Sequence, residues 1–169
     1  MPAFAINAER DLLVTEQLGA AFGDRILKSE QQGDMLCFTV RKDSIHEVLA
    51  FLKDKLDLTF LTTLCGMHYA DRDTLGLVIH LHSMRHGHRI RVKSETPMKD
   101  PVFPTFTDLW PASNWMEREA FDFFGLRFTG HPDLRRILNM EDFPAFPLRK
   151  DYPLEDPTRA DKDDSYFAR

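Results

Sequence analysis

Apolar residues recur along this chain with two periods, and the period decides the element. Val14, Leu18, Ala21 and Phe22 repeat at helical spacing behind Asn7, a good capping residue, so a helix is predicted from Asn7 to about Gly23. Two short strands are predicted next, at 25–28 and 35–41, with 31–33 turning between them. Leu36, Phe38 and Val40 alternate onto one face of the second. Ser44, Ile45, His46 and Glu47 have the pattern of a capping box. Ile45, Val48, Leu49 and Leu52 follow at helical spacing, which predicts a helix over 44–56. Strands are then expected at 58–68, 75–84 and 88–93, the last two turning back on each other at Gly87. Leu75, Leu77, Ile79 and Leu81 line one face of the middle strand, while Arg89, Arg91 and Lys93 alternate outward against Ile90 and Val92.

The predicted order is therefore α-β-β-α-β-β-β. Hairpins make antiparallel pairs and a helical connection makes a crossover. The expected fold is α+β, a two-layer domain whose mixed, largely antiparallel sheet packs against helices. After Lys93 the pattern breaks, because nine of the ten prolines lie beyond it. Proline fixes φ and removes a backbone donor, so long regular elements are not expected there. One helix still fits, over 113–124, capped by Ser113 or Asn114 and closed by Gly125. Residues 1–127 thus read as an α+β domain and 128–169 as an extended C-terminal arm. The arm carries Phe143, Phe146, Leu148, Tyr152 and Leu154 among its charges. Apolar anchors in a long irregular segment favour a segment laid over a partner.

Composition narrows the function. A net charge of −5 argues against a nucleic-acid binder. No apolar run reaches the length of a membrane helix, and the start of the chain lacks the pattern of a secretory signal. Cys37 and Cys65 have no metal-binding spacing and read as two small buried hydrophobes in a reducing compartment. His80 and His82 share a strand face, with His86 and His88 just beyond, but no local cysteine or carboxylate completes a ligand set. A small His-metal enzyme using His80, His82 and His88 is the competing hypothesis. On the predicted third helix Glu117, Arg118, Glu119 and Asp122 offer paired carboxylates, and Arg118 can pair with Asp122 four residues on. No nucleophile, histidine partner or phosphate loop accompanies them. Arg135, Arg136, Arg149, Lys150 and Asp151 punctuate the arm, either as a solvated run or as forks for a partner's carboxylates.

One stretch is more specific. It runs Asp108-Leu109-Trp110-Pro111-Ala112-Ser113-Asn114-Trp115-Met116-Glu117-Arg118-Glu119-Ala120-Phe121-Asp122, then Phe124-Gly125-Leu126. It continues as Gly130-His131-Pro132-Asp133-Leu134-Arg135-Arg136-Ile137-Leu138 and ends in Pro147-Leu148-Arg149-Lys150-Asp151-Tyr152-Pro153-Leu154. This stretch closely resembles the 30-kilodalton (C) subunit family of NADH–quinone oxidoreductase, respiratory complex I. Met116 and Phe121 stand where relatives commonly carry tyrosine.

The resemblance implies a non-catalytic member of the hydrophilic arm, without flavin or iron–sulfur cluster. It implies packing against the hydrogenase-like (D) subunit, which helps form the quinone site. The (B) subunit, which carries the terminal cluster, is expected close by, and the (I) subunit near. The resemblance places the protein on the cytoplasmic side of the membrane, attached only through the assembled complex. Trp110, Glu117, Arg118, Glu119, Asp122, Arg135, Arg136, Arg149, Lys150, Asp151 and Tyr152 become candidates for the partner interface or for the structure supporting it. Similar subunits serve membrane-bound hydrogenases and ferredoxin- or F420-dependent relatives of complex I, and that alternative stays open here.

Overall fold

The computed structural model describes residues 7–153. Leu154, Pro157 and the rest of the predicted arm lie outside the described residues. Three helices and seven strands follow in the order α1 (Ala8–Phe22), β1 (Ile26–Gln32), β2 (Met35–Val40), α2 (Ile45–Leu56), β3 (Phe60–Tyr69), β4 (Thr74–Ser83), β5 (His88–Pro97), β6 (Val102–Pro104), α3 (Ser113–Phe124) and β7 (Arg127–Thr129). The α+β expectation holds, and the first seven elements come in the predicted order.

Five strands form one sheet in the order β1-β2-β5-β4-β3. β2 and β5 are parallel, and the other neighbours are antiparallel. The parallel pair is the crossover that α2 and the β3–β4 hairpin require. Leu75, Leu77, Ile79 and Leu81 on β4, Ile90 and Val92 on β5, and Leu36, Phe38 and Val40 on β2 bury one face of the sheet. Val14 and Leu18 of α1 and Ile45, Val48, Leu49, Leu52 and Leu56 of α2 cover it. Burying that many branched side chains, at about 1.5–3 kcal/mol each, is the main force holding the two layers together.

Local signals fared unevenly. Asn7 caps α1 as expected, its Oδ1 accepting from the Arg10 N–H at 3.2 Å. The capping box at Ser44 does not form: Ser44 Oγ reaches Asp43, and Glu47 pairs instead with Arg25 across 2.7 Å. α3 has no side-chain cap either, because Ser113 Oγ donates to the Trp110 carbonyl at 2.8 Å. Gly125 does close α3, in the left-handed conformation at φ 74°. Cys37 is buried, but Cys65 is exposed, because it points to the face of β3 away from the helices. β6 and β7, three residues each, escaped the sequence reading; they pair in parallel beside α3. β7 straddles the 127/128 position at which the arm was expected to begin.

Candidate functional site

α3 lies on β3, and its packing depends on a missing side chain. A Cβ on Gly66 would fall 2.5 Å from the Phe124 ring and 3.2 Å from Leu126. The helix therefore approaches the sheet closely and carries Glu117, Arg118 and Asp122 inside with it; Glu117 and Asp122 are fully buried. Buried charges need partners, and each of these finds them in the segments that flank α3.

Asp122 organises the arm. Its Oδ2 accepts the backbone N–H groups of Ile137 (3.1 Å), Leu138 (2.8 Å) and Asn139 (2.9 Å). Its Oδ1 accepts from Arg136 at 2.8 Å and from Asn139 Nδ2 at 3.0 Å. Burial alone would push the Asp122 carboxyl up. The donors at Asn139, Arg136 and Leu138 outweigh it and hold the group far below the usual carboxylate range. Arg136 extends the same knot, donating to the carbonyls of Asp122, Phe143 and Ala145. Arg118 does not pair with Asp122 as its spacing suggested. It donates to the carbonyls of Arg135 and Arg136 at 3.1 and 3.0 Å and stacks its guanidinium 5.3 Å from the exposed Trp115 ring. Asp122 prefers the arm because three converging N–H groups satisfy more of its lone pairs than one guanidinium on its own helix.

Two further ties fasten the end of the arm. The Leu148 N–H and Arg149 Nε donate to the carbonyls of Phe123 and Phe124, at 3.2 and 2.7 Å. These are the carbonyls that a helix C-terminus leaves unpaired. Arg149 and Phe146 fill the space beside Gly125, where a Cβ would fall 2.5 Å from the guanidinium. At the far end of β3, buried His68 accepts the Lys150 N–H on Nδ1 at 2.9 Å, with Asp151 at 3.6 Å. The arm as far as residue 153 thus clasps its own domain.

Glu117 holds the other flank. Its carboxylate accepts the Phe106 N–H and the Thr105 hydroxyl, each at 2.7 Å. Burial pushes its pKa up, and the bonds from Phe106 and Thr105 offset only part of the shift. A raised folded-state pKa makes ionisation a cost, absent below the ordinary value of 4.5, growing as pH rises above it and complete once pH exceeds the folded value. Glu117→Gln keeps an acceptor for Phe106 without that cost. Wild-type stability relative to Glu117→Gln should therefore fall as pH rises above about 4.5, which urea unfolding of the two proteins measures.

The remaining candidates divide cleanly. Trp110 is a core residue, donating from Nε1 to the Thr59 carbonyl at 2.8 Å. Glu119, Arg135, Lys150, Asp151 and Tyr152 are exposed. So are three apolar side chains that the candidate set omitted: Leu138 (68% exposed), Met140 (71%) and Trp115 (58%). Their sequence signal was apolar residues where no helical or strand period calls for them. Two of the three candidate histidines have partners of their own: His80 accepts from Arg91 at 2.8 Å, and His88 meets Asp11 at 2.7 Å. Burial, with Arg91 next in effect, lowers the His80 pKa. Among the described residues no group of three or more histidine, cysteine or acidic side chains is placed to hold a metal ion.

Comparison with known proteins bears on this helix-and-arm unit directly. The model of the family described as respiratory-chain NADH dehydrogenase, 30 Kd subunit, matches residues 38–158, a span containing α3 and the clasped arm. The chain belongs to this 30-kilodalton subunit family. It is 41% identical over 147 residues to the NADH-quinone oxidoreductase (C) subunit of Herpetosiphon aurantiacus, covering 85% of each chain. With the corresponding protein of Roseiflexus castenholzii it shares 46% identity over 145 residues, covering 83% of each. Among solved structures it is similar to Nqo5, crystallised as a trypsin-resistant fragment (1–134). The TM-score is 0.65 at 31% identity, over 74% of this chain and 99% of that one. It shares the fold of a chain from an archaeal membrane-bound sulfane sulfur reductase, with a TM-score of 0.75 at 24% identity over 86% of each. As in the sequence reading, no helix among the described residues is long and apolar enough to cross a membrane.

Proposed function

We propose that this chain is a non-catalytic structural subunit of the hydrophilic arm of a proton-pumping NADH–quinone oxidoreductase. It holds the hydrogenase-like (D) subunit near the quinone site and thereby supports electron transfer from NADH to quinone. The (B) and (I) subunits lie close by, and the membrane is reached only through the assembled complex, on its cytoplasmic side. The observation that carries this reading is the arm. Residues 131–153 contain neither helix nor strand, yet side-chain-to-backbone bonds fix them against α3, with Leu138, Met140 and Leu148 facing outward. A solvent-facing loop gains nothing from presenting three large apolar groups, whereas a docking surface does. Glu119, Arg135, Lys150, Asp151 and Tyr152 form its polar rim. Fixing the arm in advance lowers the ordering entropy of association.

Trypsin tests the reading. In the isolated chain, cleavage after Arg135, Arg149 and Lys150 should precede cleavage of the domain. Added hydrogenase-like partner should slow those cuts by about tenfold or more, since cleavage follows the open population. Equal cleavage with and without that partner would refute the docking role.

A further inference from the structure

The face of the sheet turned away from the helices holds a cleft of about 780 Å³. Thr39 and Lys93 lie on its floor, paired across β2 and β5. Leu27, Lys28, Glu30 and Gln32 of β1 form one wall. Tyr69, Arg72 and Glu95 form the other, and Arg41, Lys42 and Asp43 close one end. Tyr69 is able to lie flat on the sheet because β4 has a glycine beneath it; a Cβ on Gly76 would fall 2.8 Å from the Tyr69 ring. Arg72 stacks 4.3 Å above the same ring.

The lining has five cations and three carboxylates, in a chain whose net charge is −5. Each carboxylate has its own cation: Glu30 has Lys28 at 2.5 Å, Asp43 has Arg41 at 2.9 Å and Glu95 has Arg72 at 3.4 Å. The ammonium groups of Lys42 and Lys93 meet neutral oxygens, Thr96 Oγ1 at 3.2 Å and Gln32 Oε1 at 2.8 Å. Gln32 is itself oriented by Glu30 at 2.6 Å and also accepts from Arg91. The two surplus charges are therefore held in place by a bonded network. A compact polyanion suits this lining poorly, because Glu30, Asp43 and Glu95 stand between the cations. Separated carboxylates with an apolar side chain between them suit it better, since Tyr69 and the exposed Leu27 provide apolar contact.

We propose that this cleft is a second docking site, receiving an acidic extended segment of a partner polypeptide whose carboxylates meet Lys42 and Lys93. It lies on the opposite side of the sheet from α3, so it is independent of the arm's role.

The test uses the whole chain and a fluorescein-labelled, end-capped peptide of alternating glutamate and leucine. Anisotropy should report saturable binding, with no binding of the lysine–leucine counterpart. The double variant Lys42→Glu, Lys93→Glu should weaken binding by about tenfold or more. Lys55→Glu, at an exposed site on α2, should leave it unchanged. Independently of any variant, the bound peptide should slow acetic anhydride labelling of Lys42 and Lys93 relative to Lys55. Equal affinity in the double variant, equal weakening by Lys55→Glu, or unslowed labelling would each overturn the proposal. So would protection of the two lysines by tripolyphosphate alone, which would assign the cleft to a phosphate compound.

Discussion

Replacing Asp122 with alanine should lower the stability of the folded chain by about 3–5 kcal/mol, the usual cost of removing one partner from a buried charge network. The change leaves three backbone N–H groups, at Ile137, Leu138 and Asn139, without their acceptor. It also leaves Arg136, whose side chain is only 10% exposed, without its carboxylate. Unmade bonds inside a protein cost more than the same bonds contribute when made. Folded domains have only about 5–15 kcal/mol of net stability, so the loss is a large share of the total. Much of it should appear locally, as early trypsin cleavage between residues 135 and 150, with α1, α2 and the five-stranded sheet still folded. Acid should produce the same effect in the unmodified protein. The folded Asp122 carboxyl sits below its ordinary 3.8, so its contribution is complete above that value and is lost as pH falls below it. The stability advantage of the wild type over Asp122→Ala should therefore be flat above about pH 5 and shrink below about pH 4. Urea titrations across that range measure this. An advantage independent of pH would mean that the carboxylate charge is not what holds the arm.

Gly66→Val should lower the melting temperature by about 6–12 °C. A branched side chain at this position meets the Phe124 ring at 2.5 Å, a distance that no Cβ tolerates, and Leu126 at a tight 3.2 Å. Either α3 moves off β3 or the strand bends, and overpacking of this kind costs about 1–3 kcal/mol, toward the upper end for valine. For a chain of this length each kcal/mol shifts the midpoint by about 2–4 °C. Gly66→Ala should fall between wild type and valine. Differential scanning calorimetry of the three proteins gives the order, and a valine variant as stable as wild type would show that α3 does not depend on the close approach.

These two residues mark the boundary of what could be read from the chain. The sheet was legible because burial imposes a two-residue period: Leu75, Leu77, Ile79 and Leu81 announce β4 and its buried face. α2 was legible from apolar spacing and α3 from the Gly125 that closes it. Caps were less so, because Ser44 and Ser113 each had a competing partner within three residues. The arm was half legible. Its prolines and anchors marked an extended segment, but its clasp on α3 was hidden. The bonds to the Asp122 carboxylate span 14–17 residues, and three of the five end on backbone N–H groups, which leave no mark in the side-chain sequence. For the same reason Glu117, Arg118 and Asp122, which as exposed helix charges would suit a partner, turn out to be buried supports. The surface they support, Trp115, Leu138 and Met140, had only a negative signal: apolar residues that no period explains.

The central claim is that this supported apolar surface holds the hydrogenase-like subunit. Its most direct test is the affinity of the double variant Leu138→Asp, Met140→Asp for that partner, measured by calorimetry beside its melting temperature. Both side chains face outward, so the melting temperature should stay within about 2 °C of wild type, as surface substitutions usually do. Affinity should fall by about 100-fold or more, as expected when two anchors at the centre of an interface are lost. Wild-type affinity in the folded double variant would contradict the account.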